Sequence, residues 1–428
     1  MNKLVPLLRA VVTHLAKAVI WRYSPAVVGV TGSAGKTSTK IAIAAVLSAG
    51  GHKVRPSGGN LNNELGISMT VLGDWSVEDM RLVSHDTPVG TSRGKKIKFW
   101  LRVIGSGLAL LFSFRSKAYP DVLVLEYGAD RPGDLKKLLK IARPTISVIS
   151  AVGDTPVHVE YYDTPADLAR EKARLIEALP AAGYAVLNAD DEVAMSVAPR
   201  TRANLVTFGF DKGAMMHVSA FEHRVVSGLP VGEAFKLEYG GSMVPVKLEG
   251  VFGRAHAMAA AAAAAVGAVF NMNLVEISSG LALYKPVPGR MRILPGIKDS
   301  RIMDDCYNAS PMSMRNALET LKDLPARRKI AIVGDMKELG RYSIPAHEAV
   351  GDIAAKVANI LITVGDAGKL IAASAKFAGM KKDKVMSFAT AEEAMDTVGN
   401  LVEAGDLVLV KASHSVGLDL IVQELTKV

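Results

Sequence analysis

The sequence predicts an α/β protein: a P-loop central domain on a parallel sheet, followed by a smaller Rossmann-like C-terminal α/β domain. From residue 26 to about 205, apolar runs ("AVVGVTG", "DVLVLEYGA", "TISVISAVG", "GYAVLNADD") alternate with helical patterns. That alternation is the pattern of a parallel sheet covered by helices on both faces. The stretch "YKPVPGRMRILPG", residues 284 to 296, is rich in proline and glycine and reads as a domain joint. Beyond it the alternation restarts in "KIAIVGDM", "NILITVGDAG", "KVMSF" and "DLVLVKAS". The expected divisions are an N-terminal amphipathic helix over 1–25, the central domain over 26–290 and the C-terminal domain over 291–428.

Taken in order, the first segment, "MNKLVPLLRAVVTHLAKAVIWRY", places Leu4, Leu8, Val11, Leu15 and Val19 at helical spacing, with Arg9 and Lys17 interrupting the apolar run. It falls short of the roughly 20 apolar residues a bilayer span needs, so the expectation is a helix packed on the protein. A strand-like run then enters the glycine-bearing loop Gly32-Ser33-Ala34-Gly35-Lys36-Thr37-Ser38. Between Asp86 and Asp121 there is no acidic residue, and the insertion 87–118 is basic at both ends and apolar in the middle. It is expected to pack on the N-terminal helix or to lie in a lipid headgroup region, with peripheral membrane contact through 93–117. Residues 206 to 250 are β-like and turn-rich, and "AHAMAAAAAAAVGAVF" reads as a closely packed helix whose small side chains need no catalytic explanation.

A chain of 428 residues can bury the core of two or three domains. The single cysteine, Cys306, excludes an internal disulfide framework and fits a reducing, cytoplasmic setting. A formal net charge of +9 suits anionic ligands. Nucleic acid is not expected, because the sequence has neither zinc-finger spacing nor basic motifs interleaved with aromatics.

The chemistry begins at the loop. Successive N–H groups and a helix N-terminus face an anion, Lys36 adds a point charge, and the Thr37 hydroxyl suits a Mg²⁺ ligand. A strict G-x-x-x-x-G-K-[ST] motif would have glycine at 30, where this chain has Val30. Downstream, "LVLEYGAD" ends a strand at Glu126, and "TPVHVEYYDTPADLAREKARLIEAL" sets His158 before a helix carrying Lys172. Alone, a strand-end glutamate is more often structural, a histidine a satisfied polar group, and a helical lysine solvated. Together behind a phosphate loop they read as a metal-binding edge around ATP.

The loop form T-G-x-x-G-K-T resembles that of the Mur ligase superfamily. "GNLNNELGISMTVL" (59–72), "LEYGADRPGDL", "VLNADDE", "PVPGRM", "DDCYNASPMSM" and "VGDMKELG" are similar, in this order, to its D-alanyl-D-alanine-adding branch. The resemblance implies an ATP-dependent amide ligase of peptidoglycan precursor synthesis that works through an acyl phosphate. Its implied substrates are a UDP-linked muramyl tripeptide and the dipeptide D-Ala-D-Ala. It implies that Lys36 and the loop amides hold the phosphates of ATP, and that Thr37 and Glu126 bind one Mg²⁺. It further implies a second Mg²⁺ at His158, with Lys172 carbamylated as an anionic oxygen donor. Arg290 would approach the γ-phosphate, Asp305 the ribose, and Asn308 would lie in the nucleotide seam. Asn60, Asn62, Asn63, Lys411 and Ser413 would approach the substrates. Lys411 is equally readable as a surface charge.

The resemblance also sets up two departures. The family carries a UDP-gripping domain ahead of the phosphate loop, whereas here Gly32 follows one helix. The expectation is that UDP is held otherwise or is not the handle of the acceptor, with 87–118 as a replacement surface. Where the family has two asparagines near adenine, this chain has His256 and Ala259; His256 is expected to donate to the nucleotide, without a strict preference for ATP. Cys306 reads as packing. The competing readings are a related ligase with another acceptor or amine, a membrane-surface nucleotide-binding protein without ligase activity, and a simple NTPase or kinase. A monomer is expected.

Overall fold

The computed structural model describes residues 4–59, 61–82, 93–113 and 118–427. The central part runs through α1 (Leu4–Tyr23), β1 (Ala26–Thr31), α2 (Lys36–Ala49), β2 (Val54–Pro56), α3 (Glu64–Leu72), α4 (Val77–Arg81), α5 (Arg93–Phe112) and β3 (Val122–Glu126). It continues through α6 (Asp134–Leu139), β4 (Ile146–Ile149), α7 (Pro165–Glu177), β5 (Tyr184–Asn188), α8 (Glu192–Ser196) and β6 (Asn204–Gly209). Three longer strands, β7 (Met216–Val226), β8 (Leu229–Tyr239) and β9 (Ser242–Glu249), precede α9 (Arg254–Val269) and α10 (Leu274–Leu281). Among the described residues these strands form one sheet in the order β2-β3-β1-β4-β5-β6-β7-β8-β9. It is parallel from β2 to β7 and antiparallel from β7 to β9.

The strand period of two assigns the faces. Val28 and Val30 of β1, with Val122 and Val124 of β3, pack in the same cluster as α2 and α9 residues such as Val46, Ala260 and Ala264. Val27, Leu123 and Leu125 point to the other face, against Val12, Ala16 and Val19 of α1, Ile67 of α3 and Phe99 and Val103 of α5. The N-terminal helix and the apolar middle of the insertion therefore cover one side of the sheet together, as the packing alternative expects. The alanine run is buried from Ala259 to Ala265. The 206–250 region is an antiparallel extension of the same sheet, and in β9 buried and exposed residues alternate.

The second part comprises β10 (Arg292–Pro295), β11 (Arg301–Asp304), α11 (Pro311–Asp323), β12 (Arg328–Gly334), α12 (Ser343–Val357), β13 (Ile360–Val364), α13 (Gly368–Phe377), β14 (Val385–Phe388), α14 (Ala391–Leu401), β15 (Asp406–Lys411) and α15 (Asp419–Leu425). Its strand order is β10-β11-β15-β12-β13-β14, parallel except for β10. Local chemistry starts the helices that face the joint. Ser310 caps α11 in a capping box with Pro311 following, and Thr164 caps α7 ahead of Pro165. No described helix is long and apolar enough to cross a membrane.

Candidate active site

The phosphate loop connects the carboxyl end of β1 to the N-terminus of α2, where a parallel sheet presents its ligand site. Gly32 has φ +150°, and a Cβ there would lie 2.2 Å from Ser150 Oγ and 2.9 Å from the Ala151 carbonyl, so only glycine fits. The Ser33 and Ala34 amides donate to that carbonyl at 2.6 and 3.4 Å, and Ser150 Oγ donates to the Ala34 carbonyl at 2.6 Å. The loop is thus clamped by the β4 end, and the phosphate-facing N–H groups are those at the start of α2, which have no acceptor within their own helix. Lys36 Nζ folds back to the Gly32 carbonyl at 2.8 Å. Ser33 Oγ is buried without a hydrogen-bond partner, the condition of a group waiting for a polar ligand.

Glu126 ends β3 beside the loop. Its Oε2 accepts from Thr37 Oγ1 at 3.1 Å and from Lys40 Nζ at 3.2 Å, and Asn62 Nδ2 lies 3.5 Å from Oε1. Burial alone would raise the Glu126 pKa, but Lys40 and Lys36 outweigh it and hold the carboxylate below its usual range. Lys40 is a participant the sequence reading missed. It is fully buried, donates also to the Gly59 carbonyl at 2.6 Å, and its pKa is lowered chiefly by desolvation. Its signal was present as a second lysine one turn after Lys36, which puts it on the same helix face.

Lys172 of α7 is buried and reaches the same Gly32 carbonyl at 3.2 Å. Desolvation, with the nearby Lys36 adding to it, lowers its pKa to about 7. His158, at φ +68°, stands between Asp130 (Nε2 to Oδ1, 3.3 Å) and Glu338 of the second domain (Nδ1 to Oε2, 2.5 Å). Asp130 also acts electrostatically on both Lys36 and Lys172, so it belongs to this edge although the sequence reading passed it over. Among the described residues no three His, Cys, Asp or Glu side chains are gathered closely enough to hold a metal by themselves. The side chains that line this edge are a hydroxyl, carboxylates, an imidazole and lysines. Asn63 is taken up by structure, its Oδ1 capping α3 through the Gly66 amide at 2.9 Å. Asn60 lies outside the described residues.

The rest of the site is built across the joint. A cavity of about 100 Å³ is bounded by Ser33, Gly35 and Ser38 on one side and by Arg290, Asp305, Asn308 and Lys411 on the other. Arg290 lies over the Tyr307 ring at 4.1 Å, and its Nε is buried without a hydrogen-bond partner. Lys411 is buried, so the surface-charge reading is corrected. Its Nζ lies 2.6 Å from Asp305 Oδ2 and donates to the Asn308 carbonyl at 2.8 Å. Burial raises the Asp305 pKa even so, with Lys411 opposing the shift. Ser413 Oγ accepts the Lys337 amide at 2.9 Å at the C-terminal edge of the second sheet. A larger cavity, about 680 Å³, opens beside the loop between Asn188, Asp190, Phe210, Arg254, Met312 and Asn316 and has the size of a nucleoside site.

His256 also lines the small cavity, with both ring nitrogens bonded to protein. Its ring is buried, with Nδ1 2.8 Å from Tyr284 Oη and Nε2 3.0 Å from the Arg290 carbonyl. Both nitrogens are committed to protein, and burial lowers its pKa to about 4. Ser38 also acts on the Tyr284 hydroxyl, so the links Tyr284–His256–Arg290 run between the start of α2 and the joint. His256→Ala strands the buried Tyr284 hydroxyl and the Arg290 carbonyl. The expected result is a loss of about 2 kcal/mol in stability, read as a lower Tm, together with a weaker KM for nucleotide. Cys306 is buried with its thiol donating to Asp304 Oδ1 at 3.1 Å, and burial beside that carboxylate pushes its pKa up, as a packing role requires.

Comparison with known proteins places this geometry. The Mur ligase middle domain family matches residues 105–266, and the Mur ligase glutamate ligase domain family matches 289–414. The chain is 30% identical over 418 residues to the UDP-N-acetylmuramoyl-tripeptide--D-alanyl-D-alanine ligase of Mycobacterium leprae, covering 92% of this chain and 72% of that one. The enzyme of the same name from Synechocystis is 30% identical over 420 residues, covering 96% and 77%. Among solved structures, the MurF ligase of Thermotoga maritima in complex with ADP superposes with a TM-score of 0.76 at 25% identity, covering 98% of this chain and 83% of that one. The folylpolyglutamate synthase of Mycobacterium tuberculosis shares the fold, with a TM-score of 0.65 at 15% identity over 96% of this chain and 95% of that one.

Proposed function

Since this chain belongs to the Mur ligase family, we propose that it is an ATP-dependent ligase joining D-alanyl-D-alanine to a UDP-N-acetylmuramoyl-tripeptide, a step of peptidoglycan precursor synthesis. The observation that carries the reading is the small cavity at the joint. It sets the phosphate loop against Arg290, Asp305 and Lys411 of the second domain. A simple NTPase needs only the loop. A ligase must bring an activated carboxylate and an amine together where water is kept out.

Each residue then has a defined task. Lys36 and the α2 amides bind the phosphates of ATP, and Arg290 meets the γ-phosphoryl group from the other domain as it passes to the tripeptide carboxylate. The resulting acyl phosphate has phosphate as its leaving group. The dipeptide amine attacks the acyl carbon, the tetrahedral intermediate expels phosphate, and an amide forms. Lys411 and Asp305, paired and buried, hold the second-domain wall of the cavity. Closure of that wall shields the acyl phosphate from hydrolysis.

Mg²⁺ fits the edge formed by Thr37 and Glu126, with Asp130 and His158 beside it. Hydroxyl and carboxylate oxygens are the donors a hard cation takes, and when bound it supplies charge neutralisation of the triphosphate. The Lys40 ammonium lies 3.2 Å from Glu126 Oε2 on the same edge. Lys172 is suited to carbamylation: with its pKa near 7, a large fraction is neutral amine at that pH. The lone pair of the neutral amine forms an N–C bond to CO₂, one N–H proton passes to water, and the buried amine becomes an anionic oxygen donor. The reading sets the enzyme in the cytoplasm, where ATP is supplied.

The test is ATP-dependent phosphate release with UDP-N-acetylmuramoyl-tripeptide and D-Ala-D-Ala, with products read by mass spectrometry. One phosphate per pentapeptide formed is expected. Phosphate release without peptide product, or product only with a different acceptor or amine, would replace this substrate assignment.

A further inference from the structure

The two helices that cover one face of the central sheet are amphipathic in an unusual sense: their outer faces are apolar too. On α5, Ile97, Leu101, Leu108 and Phe112 are exposed, and at 100° per residue they fall within about 60° of arc. On α1, Leu7, Val11 and Trp21 are exposed within about 80°. The inner faces are already satisfied, because Val12, Ala16, Val19, Phe99 and Val103 are buried in the core. The outer stripes are therefore left largely in solvent. The helices lie side by side at their C-terminal ends, where Arg22 donates to the Ser113 carbonyl at 2.7 Å and Tyr23 Oη to the Leu110 carbonyl at 3.0 Å. Trp21 and Phe112, 85% and 83% exposed, sit at that same end.

The charge around the stripes is of one sign. Three Lys and Arg on α1 (Arg9, Lys17, Arg22) and five on α5 (Arg93, Lys95, Lys96, Lys98, Arg102) are accompanied by no Asp or Glu within either helix. Two of these cations are spent on ion pairs, Arg9 with Glu64 and Arg102 with Asp79. By helix geometry, Lys96 and Lys98 flank the α5 stripe on its two sides. Exposed apolar residues with a tryptophan, on two helices that carry cations and no acidic residue of their own, match an anionic bilayer surface. The apolar groups enter the acyl boundary while lysine heads remain among phosphates. A nucleic acid would use the cations and leave the stripes in water.

We propose that the outer faces of α1 and α5 form a docking surface for a bilayer of anionic phospholipid, holding this enzyme at a membrane without crossing it. The surface lies on the sheet face opposite α2 and α9, so docking leaves the joint between the domains open to small substrates.

The experiment is co-sedimentation of the full chain with vesicles of phosphatidylglycerol and phosphatidylcholine in equal parts, against vesicles of phosphatidylcholine alone. Binding is expected only with the anionic lipid and is expected to weaken as salt rises, with each lysine worth about fivefold. Leu101→Glu with Leu108→Glu, and separately Lys96→Glu with Lys98→Glu, should each lower partitioning at least tenfold while ligation and Tm stay at wild-type values. As a second readout, Trp21 emission should shift to the blue on adding anionic vesicles, and Trp21→Phe should remove that shift. Equal binding to both vesicle types, or variants that bind like wild type, would overturn the proposal. So would failure of wild type to bind vesicles while it forms a dimer that Leu101→Glu with Leu108→Glu dissolves, which would assign the face to a second copy of this chain.

Discussion

Lys172→Met is expected to reduce ligation about a thousandfold while making the protein more resistant to heat in carbonate-free buffer. The two effects have one origin. Lys172 is buried with its pKa lowered from 10.5 to about 7, so the folded state disfavours its charged form. Between those pH values the unfolded chain binds the additional proton, and wild-type stability rises with pH across that window. Below about pH 7 the full penalty is carried, on the order of a few kcal/mol, and methionine removes it. The gain in Tm should accordingly be largest below pH 7 and fade toward pH 10.5. Stripping CO₂ should slow the wild type and bicarbonate should restore it, with the restoration failing as pH falls below 7 and the amine protonates. An active Lys172→Met enzyme would remove Lys172 from the reaction.

Glu126→Ala is expected to abolish ligation and to destabilise the fold by about 3–5 kcal/mol, because it leaves the Lys40 ammonium buried and unpaired. Adding Lys40→Met should recover most of that stability and none of the activity, which separates the two roles by one thermal melt and one assay. The pH dependence follows from the lowered Glu126 pKa. The pair's contribution is present above about pH 4.5, the ordinary value for the residue, and is lost as pH falls through the lower folded value. The Glu126→Ala, Lys40→Met protein should lack that share of acid sensitivity. If Glu126→Ala melts like the wild type, the pair does not hold the site together.

The fold was legible because its signals are local. The apolar runs, the glycines of the loop and the proline-rich joint each report on a few neighbouring residues, and they placed the sheets and the division between them. That Glu126 and Lys172 lie beside the loop was legible too, with spacing and resemblance pointing together. What escaped was pairing across the chain. Lys40 looked like one more helical lysine, and only the parallel register of β1 with β3 puts Glu126 beside it. Asp130 gains meaning from His158 and Lys172, which are distant in sequence. His256 lines the small cavity, but the partners of its ring, Tyr284 and the Arg290 carbonyl, are set by packing that no sequence pattern encodes. Lys411 could be read two ways until the second sheet buried it.

The contact between His158 and Glu338 has a mechanical side. Both residues carry left-handed backbone, φ +68° and +63°, where a side chain costs on the order of 1 kcal/mol each. They face each other across the joint, with Arg341 donating to the Asp163 carbonyl at 2.9 Å nearby. The two domains thus meet at a contact made by two residues that each carry a backbone cost. Any opening of the seam to pass a peptide product has to part that contact first.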